Sequence, residues 1–218
     1  MKNIPRIFID QELFSGAHIS AERDIVHYLS RVMRTNECLV FNNGEEFTAV
    51  LSDDTKFLII GDKTGHVNPS SNITLMFSPI KKTDDLINMA TQMGVAAFLP
   101  VITDRTNANH INWPRMKKIA IEASEQSNRN SVPKILSPVR FSELDLSDIV
   151  FADERAAYGM ETKQIPDNIQ NILIGPEGGF SDAEFNKLDS AGACGISLGK
   201  TILRAEVAAV VALAKVIK

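Results

Sequence analysis

Residues 171–181, with the sequence NILIGPEGGFS, determine how the C-terminal part of this chain folds. The run NILI, with three apolar residues out of four, is of the kind found in buried parallel strands. It leads into a turn with three glycines, which can adopt positive φ and let a ligand approach the backbone. Residues 181–184 (SDAE) then form a capping-box pattern that opens a helix. The turn matches neither the dinucleotide fingerprint nor the P-loop. It is therefore either a ligand-binding turn or only a tight strand-to-helix connection.

The same alternation of strands and helices extends on both sides of this stretch. Short apolar runs predict strands at residues 73–77, 96–102, 149–152, 171–174 and 196–198. Helical spacing of apolar residues and N-cap signals predict helices at residues 83–93, 112–127, from 181 onward, and 205–217. Alternation of this kind predicts an α/β domain with a mainly parallel sheet, over residues 72–218.

Residues 1–70 follow a different pattern, rich in β-like runs. Asn42-Asn43-Gly44 lies between two such runs and is a strong hairpin signal. A helix is predicted over about 22–33, with Ser20 as its N-cap. Residues 61–72 are rich in Gly, Pro, Ser and Asn, which is typical of a linker. The sequence therefore predicts a small N-terminal domain of the β-barrel type, residues 1–70, joined to the α/β domain.

Composition narrows the class of protein. The 218 residues are 44% hydrophobic and 23% charged, which excludes a disordered chain, and no apolar run reaches the length of a membrane span. The two cysteines are far apart and the four histidines show no metal-ligand spacing, so we expect no metal site and a reducing, cytoplasmic environment. The net charge of −4 argues against nucleic-acid binding by bulk charge. Residues 105–140, however, carry seven basic and two acidic residues.

Two further segments carry candidate functional residues. Residues 198–206 (LGKTILRAE) repeat the pattern of a strand, a glycine and a helix start, and they include Arg204 and Glu206. Two such loops at the carboxyl ends of parallel strands would form a ligand crevice. Residues 122–129 place Glu122, Gln126 and Arg129 at helical spacings of three or four. The alternatives are ordinary first-turn helix residues in the former segment and a polar surface stripe in the latter.

These three segments, in this order and at this separation, resemble the RsmE family, the ribosomal RNA uracil-N3 methyltransferases of the SPOUT superfamily. The resemblance extends to Arg31-Val32-Met33-Arg34, followed by the Asn43-Gly44 segment. It also includes residues 90–95 (ATQMGV) and 99–105 (LPVITDR), and it covers essentially the whole chain.

The resemblance implies the following properties. The N-terminal domain would be a PUA-like barrel that helps to bind RNA, and the C-terminal domain an α/β fold with a deep trefoil knot. The cofactor would be S-adenosylmethionine (SAM). The protein would be a homodimer that methylates the uridine numbered 1498 of 16S ribosomal RNA in the small ribosomal subunit.

Candidate residues follow from combining the resemblance with the chemistry of the loops. Apolar side chains would form a slot for adenine and glycines would bring the backbone close to the cofactor, at Leu173, Ile174, Gly175, Pro176, Glu177, Gly178, Gly179, Leu198, Gly199, Ile202 and Leu203. Arg204 would stabilise the uracil anion, and Glu206 would orient Arg204 or act as a base. RNA contacts are expected at Arg31, Arg34, Arg105, Glu122, Gln126 and Arg129.

The chain departs from the family pattern beside its catalytic candidates. Ala205 and Val207 stand where the family usually has threonines, which puts any role of those hydroxyls in doubt. Two alternatives therefore stay open. One is a SPOUT methyltransferase that acts on transfer RNA or another ribosomal site, and the other is a non-catalytic module that binds the ribosome.

Overall fold

The computed structural model describes residues 4–68, 71–106 and 112–217. The chain divides into two compact units. The first comprises Met1–Pro69 and Ile121–Val132, and the second comprises Ser70–Ala120 and Pro133–Lys218.

The first unit contains a five-stranded sheet of order β1-β3-β4-β5-β2. Its strands are β1 Arg6–Phe8, β2 His18–Ser20, β3 Glu37–Asn42, β4 Glu45–Leu51 and β5 Phe57–Lys63. The predicted hairpin joins β3 to β4, and positive φ values at Asn43 (48°) and Gly44 (85°) give it the twist of a type I′ turn. Within the described residues the edge strands β1 and β2 do not pair with each other. The sheet is therefore open, whereas the sequence predicted a barrel.

The helix of the first unit has two parts. Helix α1, Arg23–His27, continues into a π-helical turn, Tyr28–Met33, which ends at Arg34 in the left-handed region with φ 53°. Ser20, the predicted N-cap, instead lies in β2 and pairs with Phe57 of β5, and the helix begins after Glu22. Leu29 anchors the helix in the core of this unit.

A buried polar network in the first unit joins strand β1 to residues 121–132. Arg6 forms an ion pair with Glu46 at 2.7 Å, and both side chains are almost fully buried. The Arg6 guanidinium also donates to the Asn130 side chain (2.6 Å) and the Arg129 carbonyl (3.0 Å), while the Thr64 hydroxyl donates to Glu46 (2.7 Å). Each buried charge thus has several partners, as burial requires.

The second unit is an α/β structure with a parallel sheet, as predicted. Its strands are β6 Thr74–Phe77, β7 Ala97–Ile102, β8 Lys134–Ile135, β9 Val139–Arg140, β10 Ile149–Ala152, β11 Asn171–Ile174 and β12 Cys194–Ile196. Its helices are α2 Thr83–Gln92, α3 Trp113–Gln126, α4 Asp182–Ser190 and α5 Ala205–Val216, of which α3 passes into the first unit. The order β12-β10-β11-β6-β7-β8, with β9 also beside β7, makes β10, β11 and β12 neighbours.

The last strand lies two residues earlier than predicted. It covers Cys194–Ile196 because only these residues pair with β10, and Ser197 and Leu198 belong to the loop that follows. None of the helices in the described part of the chain is long and apolar enough to cross a bilayer.

Candidate functional site

The glycine-rich turn after β11 is held in one conformation by local hydrogen bonds. The Gly179 amide donates to the Pro176 carbonyl (2.9 Å), and Gly179 has φ 69°, a region that favours glycine. The predicted capping box is present: Ser181 Oγ accepts from the Glu184 amide, and Glu184 accepts from the Ser181 amide. Strand β11 therefore leads into α4 through a fixed turn with accessible backbone.

The loop between β12 and α5 comes back beside this turn. Gly199 has φ 138°, and Arg204 is the N-cap residue of α5, with an exposed side chain. Ile202 is 56% exposed, and Leu203 is half-buried. An exposed apolar side chain beside an arginine suits a surface that receives a ligand with both apolar and anionic parts.

Together with the loop after β10, these loops enclose a cleft of about 260 Å³, which we call the three-loop cleft. Nine of the eleven predicted cofactor residues line it, namely Ile174, Gly175, Pro176, Glu177, Gly179, Leu198, Gly199, Ile202 and Leu203, and Arg204 lines it too. Leu173 does not, because it points into the core beside Phe151 and Phe180, and Gly178 also lies outside the lining. Alternate residues of a strand face opposite sides, so Leu173 and Ile174 could not both face the cleft.

The third wall of the cleft was missed by the sequence reasoning. It is formed by Ala152, Asp153, Glu154 and Ala157, at the end of β10 and in the 3₁₀ turn Glu154–Tyr158 that follows it. The available signal was the acidic pair Asp153-Glu154 directly after a buried apolar strand. Charged residues at the carboxyl end of a parallel strand are common ligand contacts.

Arg155 fixes this third wall. Its guanidinium donates to both oxygens of Asp153 (2.9 and 2.8 Å) and both of Asp189 on α4 (2.9 and 2.8 Å), and it lies 4.1 Å from the centre of the Phe185 ring. The bidentate hydrogen bonds from Arg155 lower the pKa of Asp189 and raise the pKa of Arg155 itself. The clamp holds the 3₁₀ turn against α4.

Other contacts brace the glycine-rich turn from the loops after β6 and β7. Glu177 accepts a hydrogen bond from the Lys81 amide (3.1 Å). Arg105, predicted to contact RNA, donates to the Gly178 carbonyl (2.9 Å), and Ser181 donates to Asp104 (2.6 Å). The turn is therefore held on two sides.

The two catalytic candidates face different surroundings. Arg204 lines the three-loop cleft, whereas the buried carboxylate of Glu206 lies 3.7 Å from the Lys82 Nζ and lines a shallow groove that Arg204 also borders. Met89 and Val207 form part of the same groove. No hydrogen bond or ion pair joins Arg204 to Glu206 in the described residues, although the two side chains border one surface.

The predicted RNA contacts differ in accessibility. Arg31 and Arg34 are exposed on and just after the π-helical turn of the first unit, and Arg105 is exposed in the second. Glu122 and Gln126 are exposed on α3, whereas Arg129 is only 7% exposed and burial lowers the pKa of its guanidinium. Within residues 4–68, 71–106 and 112–217, no cluster of His, Cys, Asp and Glu is placed to hold a metal ion.

Comparison with known proteins gives one consistent result. The RNA methyltransferase domain family matches residues 67–217. The ribosomal RNA small subunit methyltransferase E of Rickettsia conorii is 34% identical over 97% of this chain and 94% of its own length. The crystal structure of the enzyme of the same name from Neisseria gonorrhoeae, bound to SAM, has a TM-score of 0.83 at 28% identity, covering 98% of this chain and 96% of its own. A methyltransferase of Legionella pneumophila, also solved with SAM, has a TM-score of 0.78 at 25% identity, with 98% and 96% covered.

Proposed function

Since this chain belongs to the RNA methyltransferase domain family, and to the group of ribosomal RNA small subunit methyltransferases E within it, we propose that it transfers a methyl group from SAM to N3 of a uridine in 16S ribosomal RNA. The target would be the uridine numbered 1498 in the small ribosomal subunit. The observation that carries this proposal is the three-loop cleft, where predicted cofactor residues from two separate segments meet Arg204.

The cleft fits the chemistry of SAM. Its apolar side chains Ile174, Leu198 and Leu203 offer a slot for a flat base, and Gly175 and Gly199 bring backbone polar groups to the surface. The cofactor carries no phosphate, so neither a P-loop nor a dinucleotide fingerprint is needed. The residues present therefore suit the cofactor of the two SAM-bound structures.

Arg204 is our candidate for stabilising the reacting uracil. When bound, SAM supplies a methyl carbon attached to a positively charged sulfur. Uracil N3 carries a proton and becomes a good nucleophile only when that proton leaves, so a fixed cation beside the base lowers the barrier. The guanidinium stays protonated and its exposed position at the rim of the cleft leaves it accessible to RNA.

Glu206 is our candidate for accepting the N3 proton. Its carboxylate faces the groove beside Lys82 and has no bond to Arg204 in the described residues, which favours the role of base over that of orienting Arg204. A carboxylate that lines a groove can accept a proton from a substrate bound there. The groove would then be where the uracil edge arrives.

The RNA substrate and the assembly follow from the same proposal. Arg31 and Arg34 are exposed cations of the first unit, and Arg105 is one of the second. N3 lies on the Watson–Crick edge, so the uridine must be unpaired or turned out of its helix. With a net charge of −4, assembled small subunits should be better substrates than free RNA.

The family resemblance supports the remaining features of the proposal. The N-terminal domain, residues 1–70, would be PUA-like, and the C-terminal domain, residues 72–218, would carry the trefoil knot. The protein would act as a cytoplasmic homodimer. Of the other predicted contacts, Glu122 and Gln126 remain candidates for RNA binding because they are exposed, whereas the buried Arg129 would act by shaping the end of α3.

The proposed function is tested by methyl transfer from labelled SAM to small ribosomal subunits that lack the modification. Label at N3 of the predicted uridine is expected. Label on transfer RNA or at another ribosomal site would move the protein to another SPOUT activity, and SAM binding without any label would contradict the substrate. Absence of both SAM binding and label would favour a non-catalytic ribosome-binding module.

The role of Arg204 is tested by the Arg204→Ala variant, with Lys200→Ala as the matched control because Lys200 is an exposed cation of the same loop outside the cleft lining. We expect methylation to fall by about two to three orders of magnitude while SAM affinity, measured by calorimetry, changes little. An equal loss of SAM affinity would refute the assignment.

A further inference from the structure

Glu154 places a carboxylate at the wall of the three-loop cleft. The side chain is half-buried and lies directly against the backbone of Gly179 in the opposite wall. A Cβ atom on Gly179 would overlap this carboxylate, so the close approach depends on glycine at position 179. Glu154 therefore lies where the loops after β10 and β11 meet.

Among the described residues, the Glu154 carboxylate has no hydrogen-bond or ion-pair partner. Within the described ranges, no hydrogen bond or ion pair reaches the Glu154 side chain from a side chain or a backbone amide. The adjacent cation, Arg155, has its donors directed to Asp153 and Asp189. Arg155 thus pairs with the carboxylates of Asp153 and Asp189, whereas the carboxylate of Glu154 faces the cleft.

A half-buried carboxylate beside apolar walls is costly unless something donates to it. Ile174, Leu198 and Leu203 supply those walls, so water is displaced when a ligand fills the cleft. A ligand that brings hydrogen-bond donors or a positive charge to this point would gain a charge-assisted hydrogen bond.

We propose that Glu154 is a cofactor-binding residue that accepts hydrogen bonds from a donor group of the bound cofactor, and that the Arg155 clamp fixes its position. This inference rests on the proposed use of SAM. Three groups of SAM have the required chemistry: the ribose diol, the adenine amino group and the α-ammonium of the methionine part. Arg155 acts only through the turn that it holds and does not itself contact the cofactor.

The test uses Glu154→Gln, which keeps the size and removes the charge, and Glu161→Gln as the control. Glu161 is an exposed acid just beyond the same turn and lies outside the cleft lining. Calorimetry would measure the binding of S-adenosylhomocysteine, which has all three donor groups, and of methylthioadenosine, which keeps the ribose and the adenine and lacks the ammonium. Melting of the unliganded variants by circular dichroism would show that each is folded. Glu154→Asp is the second variant, which keeps the charge and shortens the side chain.

We expect Glu154→Gln to bind S-adenosylhomocysteine about tenfold or more weakly than the wild type, and Glu161→Gln to bind it normally. An equal loss with methylthioadenosine would assign the adenosine part, either the ribose diol or the adenine amino group, and an unchanged affinity for it would assign the ammonium. Wild-type affinity of the folded Glu154→Gln variant for both ligands would overturn the inference. Failure of the wild type to bind S-adenosylhomocysteine would instead overturn the proposed cofactor, and the inference with it.

Discussion

The buried ion pair between Arg6 and Glu46 gives the sharpest prediction about stability. The side chains of Arg6 and Glu46 are only 8% and 4% exposed, so Glu46→Ala leaves the guanidinium charge in a poorly solvated place. The neighbouring Glu45 offers a matched control, because its ion pair with Lys63 involves side chains that are 48% and 53% exposed. The two variants remove the same chemical group one residue apart on β4.

The magnitude follows from what remains around the charge. Removal of one partner of a buried ion pair costs about 3–5 kcal/mol. We expect the lower end of this range, about 3 kcal/mol, because Arg6 keeps the Arg129 carbonyl and the Asn130 side chain as acceptors. Glu45→Ala should cost less than about 1 kcal/mol, as exposed pairs do.

Native-state amide hydrogen exchange in β3 and β4 would measure this difference, because it reports the free energy of opening the strands beside the ion pair. The double variant Arg6→Met, Glu46→Leu should recover most of the loss, since no buried charge remains unpaired. Equal exchange free energies for Glu46→Ala and Glu45→Ala would refute the reasoning. A double variant as unstable as the Glu46→Ala variant would show that the cost lies in packing rather than in charge.

Three more predictions follow from single side chains. Burial, followed by the nearby charge of Glu122, raises the pKa of Glu125, so this group favours folding at low pH and loses that contribution as the pH rises. Glu125→Gln should therefore increase the free energy of unfolding at pH 7 but not below about pH 4. A lower free energy of unfolding at pH 7, measured in urea, would contradict this. Gly179→Ala should abolish SAM binding in calorimetry, because its Cβ would overlap the Glu154 carboxylate. Gly192→Ala is the control, since Gly192 also has a positive φ but lies outside the cleft lining, and its SAM binding should be normal. Normal binding by Gly179→Ala would be the contrary result. Burial raises the pKa of Cys38 to about 12, so iodoacetamide at pH 8 should label it only after unfolding, and rapid labelling of the native protein would disprove its burial.

Local features of the fold and of the candidate site were readable from the sequence. The Asn43-Gly44 hairpin and the Ser181–Glu184 capping box are both present, because each depends on backbone geometry within a few residues. Each apolar run or amphipathic segment is also recognised from a short stretch of sequence, and their alternation predicted the parallel sheet of the second unit. Ser20 was wrongly predicted as a helix cap because its pairing with Phe57, far along the chain, outweighs a local preference.

Only the tertiary structure decided which residues meet. The order β12-β10-β11 brings the loop after β10 into the cleft, so that Glu154 faces Gly179 although the two are separated by 25 positions in the chain. Packing within the second unit also turns Leu173 into the core, and packing within the first unit buries Arg129. Residue spacing within one segment specifies a helix face or a strand face, but strand order depends on the packing free energy of the whole sheet. For this protein, the sequence determined the local elements and most of the candidate residues, and the folding of distant strands onto one another decided which of those residues form the cleft.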